Sequence, residues 1–140
     1  MVKQLSVFLE NRSGELSKIT NVLYENDIDI RALFIAETTD YGVLRLIVTD
    51  TEKAKKVLSD NDIITSQVDV TAVSVPDQPG GLSKLLELLA DEKIDISYMY
   101  SVFGQADGHA HMIFRVHDSE KLEALLKENF IKTETIEDLK

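Results

Sequence analysis

The octapeptide DQPGGLSK, from Asp77 to Lys84, combines residue types that can form a site for an anion. Pro79 and two glycines predict a tight turn, and an apolar run with helical spacing begins at Leu82. The first backbone N–H groups of a helix have no partner inside the helix, and the helix dipole favours a negative charge beside them. The stretch is therefore either a plain helix start, in which glycine and proline serve only the turn, or a helix start that holds a carboxylate.

A second short motif, IDI, occurs at Ile28–Ile30 and again at Ile94–Ile96. Its central residues, Asp29 and Asp95, have an ordinary explanation as exposed loop aspartates. The functional alternative places each aspartate at the end of the sheet that also carries a glycine turn. A carboxylate beside an N–H-lined helix start would suit the ammonium and the carboxylate of a zwitterionic amino acid. In this hypothesis Asp77, Asp29 or Asp95 binds the ammonium.

Two histidines in the segment HAH, His109 and His111, would point to the same face of a strand. Two imidazoles at that spacing can form the edge of a metal site, but His117 would point away along a regular strand. Two solvent-facing histidines are the simpler interpretation, and we expect no metal. Serine, histidine and aspartate are present without a nucleophile elbow or a cluster of catalytic glutamates. The sequence therefore predicts a protein that is not an enzyme and needs no cofactor.

The composition excludes several classes of protein. The chain has 140 residues, of which 44% are hydrophobic and 29% charged, as in one folded domain or two small ones. Its formal net charge of −10 disfavours nucleic acid and anionic membranes, since both need clustered Lys and Arg. The same charge argues against RNA bases stacking on Tyr98, Tyr100 and Phe103. Without cysteine there is no disulfide or thiolate chemistry, and the alternating N-terminus predicts a strand instead of a signal peptide, so we expect a cytoplasmic protein.

The chain contains an internal duplication. VFLENRSGELSKITNVLYENDIDI, residues 7–30, aligns with VSVPDQPGGLSKLLELLADEKIDI, residues 73–96, at an offset of 66, and nine of the 24 pairs are identical. Average residue usage would give about one or two identities by chance. After a two-residue insertion near Gly108 the offset becomes 68, and residues 50–63 match residues 118–131. The sequence therefore predicts two domains, residues 1–68 and residues 69–140.

Each half predicts the order strand, helix, strand, strand, helix, strand. The later strands are predicted near 29–37, 43–49 and 63–68 in the first half, and near 95–103, 109–116 and 131–136 in the second. Asp50 and Asp118 are predicted to cap the second helix of each half. This order is that of a ferredoxin-like split βαβ unit, so the predicted fold class is α+β, with two tandem βαββαβ units.

Alternation along the third strand of each half indicates which side is buried. Leu44, Leu46 and Val48 share one side, as do Met112, Phe114 and Val116, and we expect both sets to face the helices. The other side, with Val43, Arg45 and Ile47 or with His111, Ile113 and Arg115, is expected to be mixed and partly open. Apolar residues on an open face often mark an interface, and here they are Phe8, Val43, Ile47 and Ile113. The sequence therefore predicts a homodimer or a higher assembly.

The repeated combination of strand, D/N-x-P-G-x-L turn, helix and I-D/N-I strand resembles the ACT domain, a small regulatory module that binds amino acids. The whole chain is similar to a stand-alone protein of two tandem ACT domains. The second half carries the fuller motif, whereas the first has Ser13 in place of the proline, which leaves open whether both halves bind equally. The resemblance implies two antiparallel sheets with helices on one face, joined side by side as one eight-stranded sheet.

The resemblance also implies a site at the seam between the two units, where an amino acid touches a glycine turn and the start of a second strand. The positions carried over are Asn11, Ser13, Gly14, Leu16, Asp29 and Ile30 in the first half, and Asp77, Pro79, Gly80, Leu82, Asp95 and Ile96 in the second.

Two functional hypotheses follow. The first is a non-enzymatic sensor that binds a small amino acid and changes its assembly or its contacts with a partner. The second is a regulatory subunit that docks on a metabolic enzyme, with weak or no ligand binding. The retained aspartates and glycine turns favour the first hypothesis.

Overall fold

The computed structural model describes residues 1–10, 12–37, 40–104 and 107–140. The chain forms, in order, β1 (Val2–Glu10), α1 (Glu15–Glu25), β2 (Ile30–Glu37), β3 (Tyr41–Val48), α2 (Thr51–Asp60), β4 (Thr65–Pro76), α3 (Gly81–Asp91), β5 (Ile96–Ser101), β6 (His109–Val116), α4 (Ser119–Glu128), β7 (Thr133–Glu134) and α5 (Ile136–Leu139). The predicted α+β class with two βαββαβ units is confirmed. Within the part of the chain that is described, no helix is both long and apolar enough to cross a membrane.

The chain divides into two compact units, Lys3–Val68 and Asp69–Lys140, and Met1–Val2 groups with the second. In the first unit β3 lies between β2 and β1 and is antiparallel to both. In the second unit β6 lies between β5 and β4 in the same way, and β7 pairs with β4. Both units have a register shift at the same place, between Ile30 and Ala32 and between Ile96 and Tyr98. The assignment of residues 1–68 and 69–140 as two domains stays a prediction.

Each unit has its own core between its sheet and its two long helices. The first core contains the buried helix residues Ile19, Leu23 and Leu58, and the second contains Leu89, Leu122 and Leu126. Helical spacing puts these leucines and isoleucines on one face of each helix, and their burial stabilises the helices against the sheets.

The predicted helix-facing side of the third strand is correct. Leu44, Leu46 and Val48 are buried in the first core, and Phe114 and Val116 in the second, with Met112 packed against it. The predicted partly open side is wrong at Ile47 and Ile113, which are fully buried. These two residues therefore lend no support to the predicted homodimer, which stays a prediction.

The described residues form seven strands, so the single eight-stranded sheet is not what the structure has. The strand predicted near 63–68 and the first strand of the second half run together as β4, because Asp69 is followed by an unbroken β-rich run without a turn residue. The strand predicted near 131–136 shortens to β7. Thr135 with Asp138 forms a capping box there, so the chain starts α5 instead of extending the strand.

Helix ends follow local chemistry. The side chains of Asp50 and Asp118 accept hydrogen bonds from the backbone N–H groups of Lys53 (3.1 Å) and Lys121 (3.0 Å), which confirms both predicted caps. Each of the four long helices is followed, two residues after its last residue, by a residue of positive φ: Asp27, Asp62, Lys93 and Phe130.

Candidate functional site

The glycine turns have the same backbone in both units. Gly14 and Gly80 are the N-caps of α1 and α3, with φ of 89° and 88°. This left-handed conformation favours glycine, which has no Cβ to clash with the following carbonyl oxygen. The second turn is tighter, because a Cβ atom at Gly81 would overlap the carbonyl oxygen of Pro76. The start of α3 therefore lies directly against the end of β4, at a distance that only glycine permits.

The start of α3 presents unpaired N–H groups. Gly81 N–H donates to the carbonyl of Gln78 and Lys84 N–H donates to that of Gly80, both at 3.0 Å. Within the described residues no side chain caps the helix, and the N–H groups of Leu82 and Ser83 have no hydrogen-bond partner. Two donors and the positive end of the helix dipole are thus available to an anion.

A pocket of about 610 Å³ opens at this helix start, within the second unit; we call it the second-unit pocket. Its volume lies within the range of small-molecule sites. Its apolar residues are Val75, Leu85, Ile131 and, at the C-terminal end of α4, Phe130. Its other lining residues are Ser74, Pro76, Gln78, Gly80, Gly81, Lys84, Asp107, His109, Lys132 and Glu134.

Charges of both signs line the second-unit pocket. Lys84 and Lys132 are cationic, and Asp107 and Glu134 are anionic. Lys132 Nζ lies 3.7 Å from Glu134 Oε2. Lys84 makes no ion pair within the described part of the chain. Lys132 and Glu134 thus pair with each other, whereas Lys84, beside the helix start, keeps a positive charge for a ligand. This arrangement is complementary to a ligand that carries both a carboxylate and an ammonium group.

A buried histidine connects the two carboxylates. His111 is 5% exposed and Glu134 is 3% exposed, so the prediction of two solvent-facing histidines holds for His109 and is wrong for His111. His111 Nε2 lies 2.9 Å from Asp107 Oδ2, and Nδ1 lies 2.5 Å from Glu134 Oε1, although the latter approach lacks hydrogen-bond geometry. The ring can donate to both sides only when it carries two protons.

The carboxylate of Asp107 is stabilised in its charged form. The hydrogen bond from His111 lowers the pKa of Asp107 most, and its Oδ1 also accepts from the backbone N–H of His109 at 3.0 Å, which lowers the pKa further. Asp107 thus stays ionised at the rim of the pocket at neutral pH.

The first unit has a pocket at the equivalent place; we call it the first-unit pocket. It measures about 320 Å³ and is lined by residues that include Arg12, Lys18, Asp62 and Ile64. Under the repeat offsets, Lys18 corresponds to Lys84, Asp62 to Phe130 and Ile64 to Lys132. The position of Gly81 is held by Glu15, which adds a side chain and a negative charge. The two pockets therefore share a location and differ in size and chemistry.

The predicted turn residues lie at or beside these pockets. Gly80 lines the second-unit pocket, whereas Asp77 and Pro79 are exposed on the turn and Leu82 packs against the core. In the first unit Ser13 and Gly14 are exposed and Leu16 packs against the core. Asn11 lies outside the described residues.

The predicted closeness of the IDI motifs to the glycine turns is wrong within each unit. β1 and β2 are both antiparallel to β3, so they run in the same direction. The turn follows the end of β1 and Asp29 precedes the start of β2, which puts them at opposite ends of the sheet. The same holds for Asp95 in the second unit. The helix between the two strands carries the chain back, which separates these ends.

The IDI residues have local partners. Asp29 is exposed, and its Oδ2 lies 3.2 Å from Arg31 Nη1. Ile30 and Ile96 are half-buried against the two cores. Asp95 is exposed near the end of α3. A role for these residues in binding stays a prediction.

Sequence reasoning missed Asp107, Phe130, Lys132 and Glu134. They come from two loops and a two-residue strand. Phe130 lies in the repeated segment 118–131, but its counterpart is Asp62, so the repeat does not single it out. A difference between the two halves could have pointed to part of this set. The first unit has Val43 and Ser66 where the second has the ionisable residues His111 and Glu134. Among the described residues, no group of three or more His, Asp or Glu side chains is arranged to hold a metal ion.

The fold of each unit is that of an ACT domain. The family model that describes an ACT domain pair matches residues 1–140, so the chain belongs to this family. None of the curated proteins matches the chain.

Solved structures share the fold. A crystal structure of a protein from Bacteroides thetaiotaomicron is 41% identical, with a TM-score of 0.91, and the match covers 99% of this chain and 94% of that one. The ligand-free regulatory subunit of aspartate kinase from Thermus thermophilus has 16% identity and a TM-score of 0.66, covering 89% and 88%. The corresponding subunit from Thermus flavus has 15% identity and a TM-score of 0.60, covering 89% and 88%. At these last two identities the likeness is one of fold alone.

Proposed function

We propose that the chain is a non-enzymatic regulatory protein that binds a small amino acid in the second-unit pocket. Membership of the ACT domain pair family supports the regulatory role. The observation that carries the ligand class is the meeting of the uncapped start of α3 with Lys84 and Asp107 in one pocket.

The proposed binding mode follows from the charges. The ligand carboxylate accepts hydrogen bonds from the N–H groups of Leu82 and Ser83 and pairs with Lys84. The ligand ammonium pairs with Asp107, whose lowered pKa keeps it ionised. Both charged groups of a zwitterion then have a partner of opposite charge, whereas a simple anion or cation would use only one of these partners.

The experiment is a thermal-shift measurement with each proteinogenic amino acid on protein freed of bound ligand. A ligand at 100 times its Kd stabilises the native state by about 2.7 kcal/mol. For a chain of this size that corresponds to a rise in Tm of several degrees. The proposal fails if no amino acid raises the Tm, and docking on a metabolic enzyme then becomes the better hypothesis.

The duplication offers a matched control. Lys84→Gln removes the cation of the second-unit pocket and should abolish most of the shift. Lys18→Gln makes the same change in the first-unit pocket, which has no glycine at the position of Gly81, and should leave the shift in place. Equal losses in both variants would contradict the assignment to the second unit.

A further inference from the structure

Phe130 combines two features that the fold does not explain. It has a φ of 57°, which is uncommon for a residue with a bulky side chain, and it is 97% exposed. An aromatic ring in water gains nothing from packing, and the left-handed conformation costs stability. Phe130 therefore weakens the free protein slightly in two ways.

The other helix ends show that this position does not require phenylalanine. After each long helix, the residue that follows the left-handed one donates its N–H to a carbonyl five residues back: Ile28 to Leu23, Ile63 to Leu58, Ile94 to Leu89 and Ile131 to Leu126. The backbone motif is thus the same four times. The left-handed residue is polar in the other three cases, Asp27, Asp62 and Lys93.

The ring of Phe130 is placed where it can contact a ligand. Phe130 lines the second-unit pocket, and its counterpart Asp62 lines the first-unit pocket. The floor of the second-unit pocket includes Val75 and Leu85, each 3% exposed, with the half-buried Ile131 beside them. An apolar floor and an exposed ring at the rim can enclose an apolar group on a ligand.

We infer that Phe130 determines ligand specificity, and that the second-unit pocket takes α-amino acids with an uncharged apolar side chain, aliphatic or aromatic. The inference rests on the proposed function and narrows it. The α-carboxylate and ammonium use the start of α3, Lys84 and Asp107, and the side chain lies between the floor and the ring of Phe130. A charged side chain is disfavoured, because the apolar floor and the ring of Phe130 would remove its water without supplying an opposite charge.

The test compares leucine and phenylalanine with serine and aspartate, using calorimetric titration of the full chain. Wild type should bind the two apolar amino acids at least about tenfold more tightly than the two polar ones. Burying one apolar side chain contributes at least the binding free energy that corresponds to a tenfold change in Kd. Phe130→Gly should weaken leucine and phenylalanine about tenfold. Because glycine adopts positive φ without strain, the same variant should raise the Tm of the ligand-free protein. Opposite effects on binding and stability separate a specificity role from a structural one.

Tyr24→Ala is the matched control, because Tyr24 is 81% exposed and is not among the lining residues of either pocket. It should leave binding unchanged. If no amino acid binds wild type, the proposed function fails and this inference fails with it. If amino acids bind but Phe130→Gly binds leucine as well as wild type, only the inference is overturned. A Phe130→Gly variant that keeps ligand affinity but loses self-association in light scattering would likewise overturn it, and would assign the ring to a protein interface.

Discussion

His111 and Glu134 face each other inside the second unit, with Nδ1 of the imidazole 2.5 Å from Oε1 of the carboxylate. Both side chains are almost entirely buried, and the small residue Ala72 on β4 lies between their strands. A buried carboxylate needs a partner, because its charge loses the stabilisation that water provides. The contact therefore ties the short strand β7, which carries Glu134, to the interior of the sheet.

Removing one partner should cost more than removing both. His111→Val introduces the residue that the first unit has at this position and leaves Glu134 with only Lys132 beside it. We expect a loss of about 3 kcal/mol in the free energy of unfolding. Adding Glu134→Gln should recover about 1 kcal/mol or more, since the buried charge is then gone. Urea denaturation of the two single variants and the double variant measures this, and additive losses would contradict the coupling.

The stability contribution of Asp107 should depend on pH in a defined direction. Its pKa is lowered in the folded protein, chiefly by the hydrogen bond from His111, so its charged form favours folding. The contribution is present above the ordinary carboxyl value, about pH 4, and is lost as the pH falls through the lower folded value. The groups that face His111 are Asp107 and Glu134, and Glu134 also faces Lys132.

The measurement is the Tm of Asp107→Asn against wild type between pH 7 and pH 3. We expect the variant to melt at a lower temperature at pH 7 and the difference to shrink towards pH 3. Asp91→Asn, at an exposed position at the end of α3, should show no such convergence. A constant difference across the range would show that Asp107 acts only through the shape of its loop.

The duplication explains why the fold could be predicted. Nine identities in 24 pairs fix the alignment of the two halves. Each half has the same spacing of hydrophobic residues, so the same βαββαβ order is predicted for both. Local chemistry fixed the helix starts at Asp50 and Asp118 in the same way. The joining of two predicted strands into β4 was missed because no glycine or proline separates them and periodicity alone gives no end point.

The site was predicted less well because its parts are distant in sequence. The predicted turn is present before α3, where the left-handed cap at Gly80 and the close approach of Gly81 to Pro76 both favour glycine. Its role in binding stays a prediction. Its partners Asp107, Phe130 and Glu134 come from loops and an edge strand, which carry no periodicity. Asp95 was grouped with the turn because both are repeated and because the resemblance to the ACT domain carries both over. Repetition does not say at which end of the sheet of its own unit a residue lies.

Asp95→Ala distinguishes the sequence-based site from the second-unit pocket. Asp95 precedes β5, at the end of the sheet opposite the turn, and it does not line this pocket. If the pocket binds the amino acid, the change should alter the Kd by less than about twofold, as expected for a group that makes no contact. Titration of Asp95→Ala beside Asp107→Asn provides the comparison. A large loss in the first variant and none in the second would favour the site carried over from the family motif.

Two neighbouring glycines should respond differently to the same substitution. Gly80→Ala meets no atom within 4 Å but places alanine at a φ of 88°, which costs about 1–2 kcal/mol. Gly81→Ala would bring its Cβ into the carbonyl oxygen of Pro76, so the turn must move away from β4. We expect a larger loss of stability, about 2–3 kcal/mol. Because the move displaces the N–H groups of Leu82 and Ser83, amino-acid binding should also fall.

The control comes from the first unit, where Glu15 holds the position of Gly81. Glu15→Ala keeps a Cβ that this turn already accommodates, so it should change the Tm little and leave binding unaffected. Chemical denaturation gives the stability of the three variants, and titration with the bound amino acid gives their affinity. If Gly81→Ala binds as tightly as Gly80→Ala, the close approach to Pro76 serves only to pack the turn, and the start of α3 is not where the carboxylate lies.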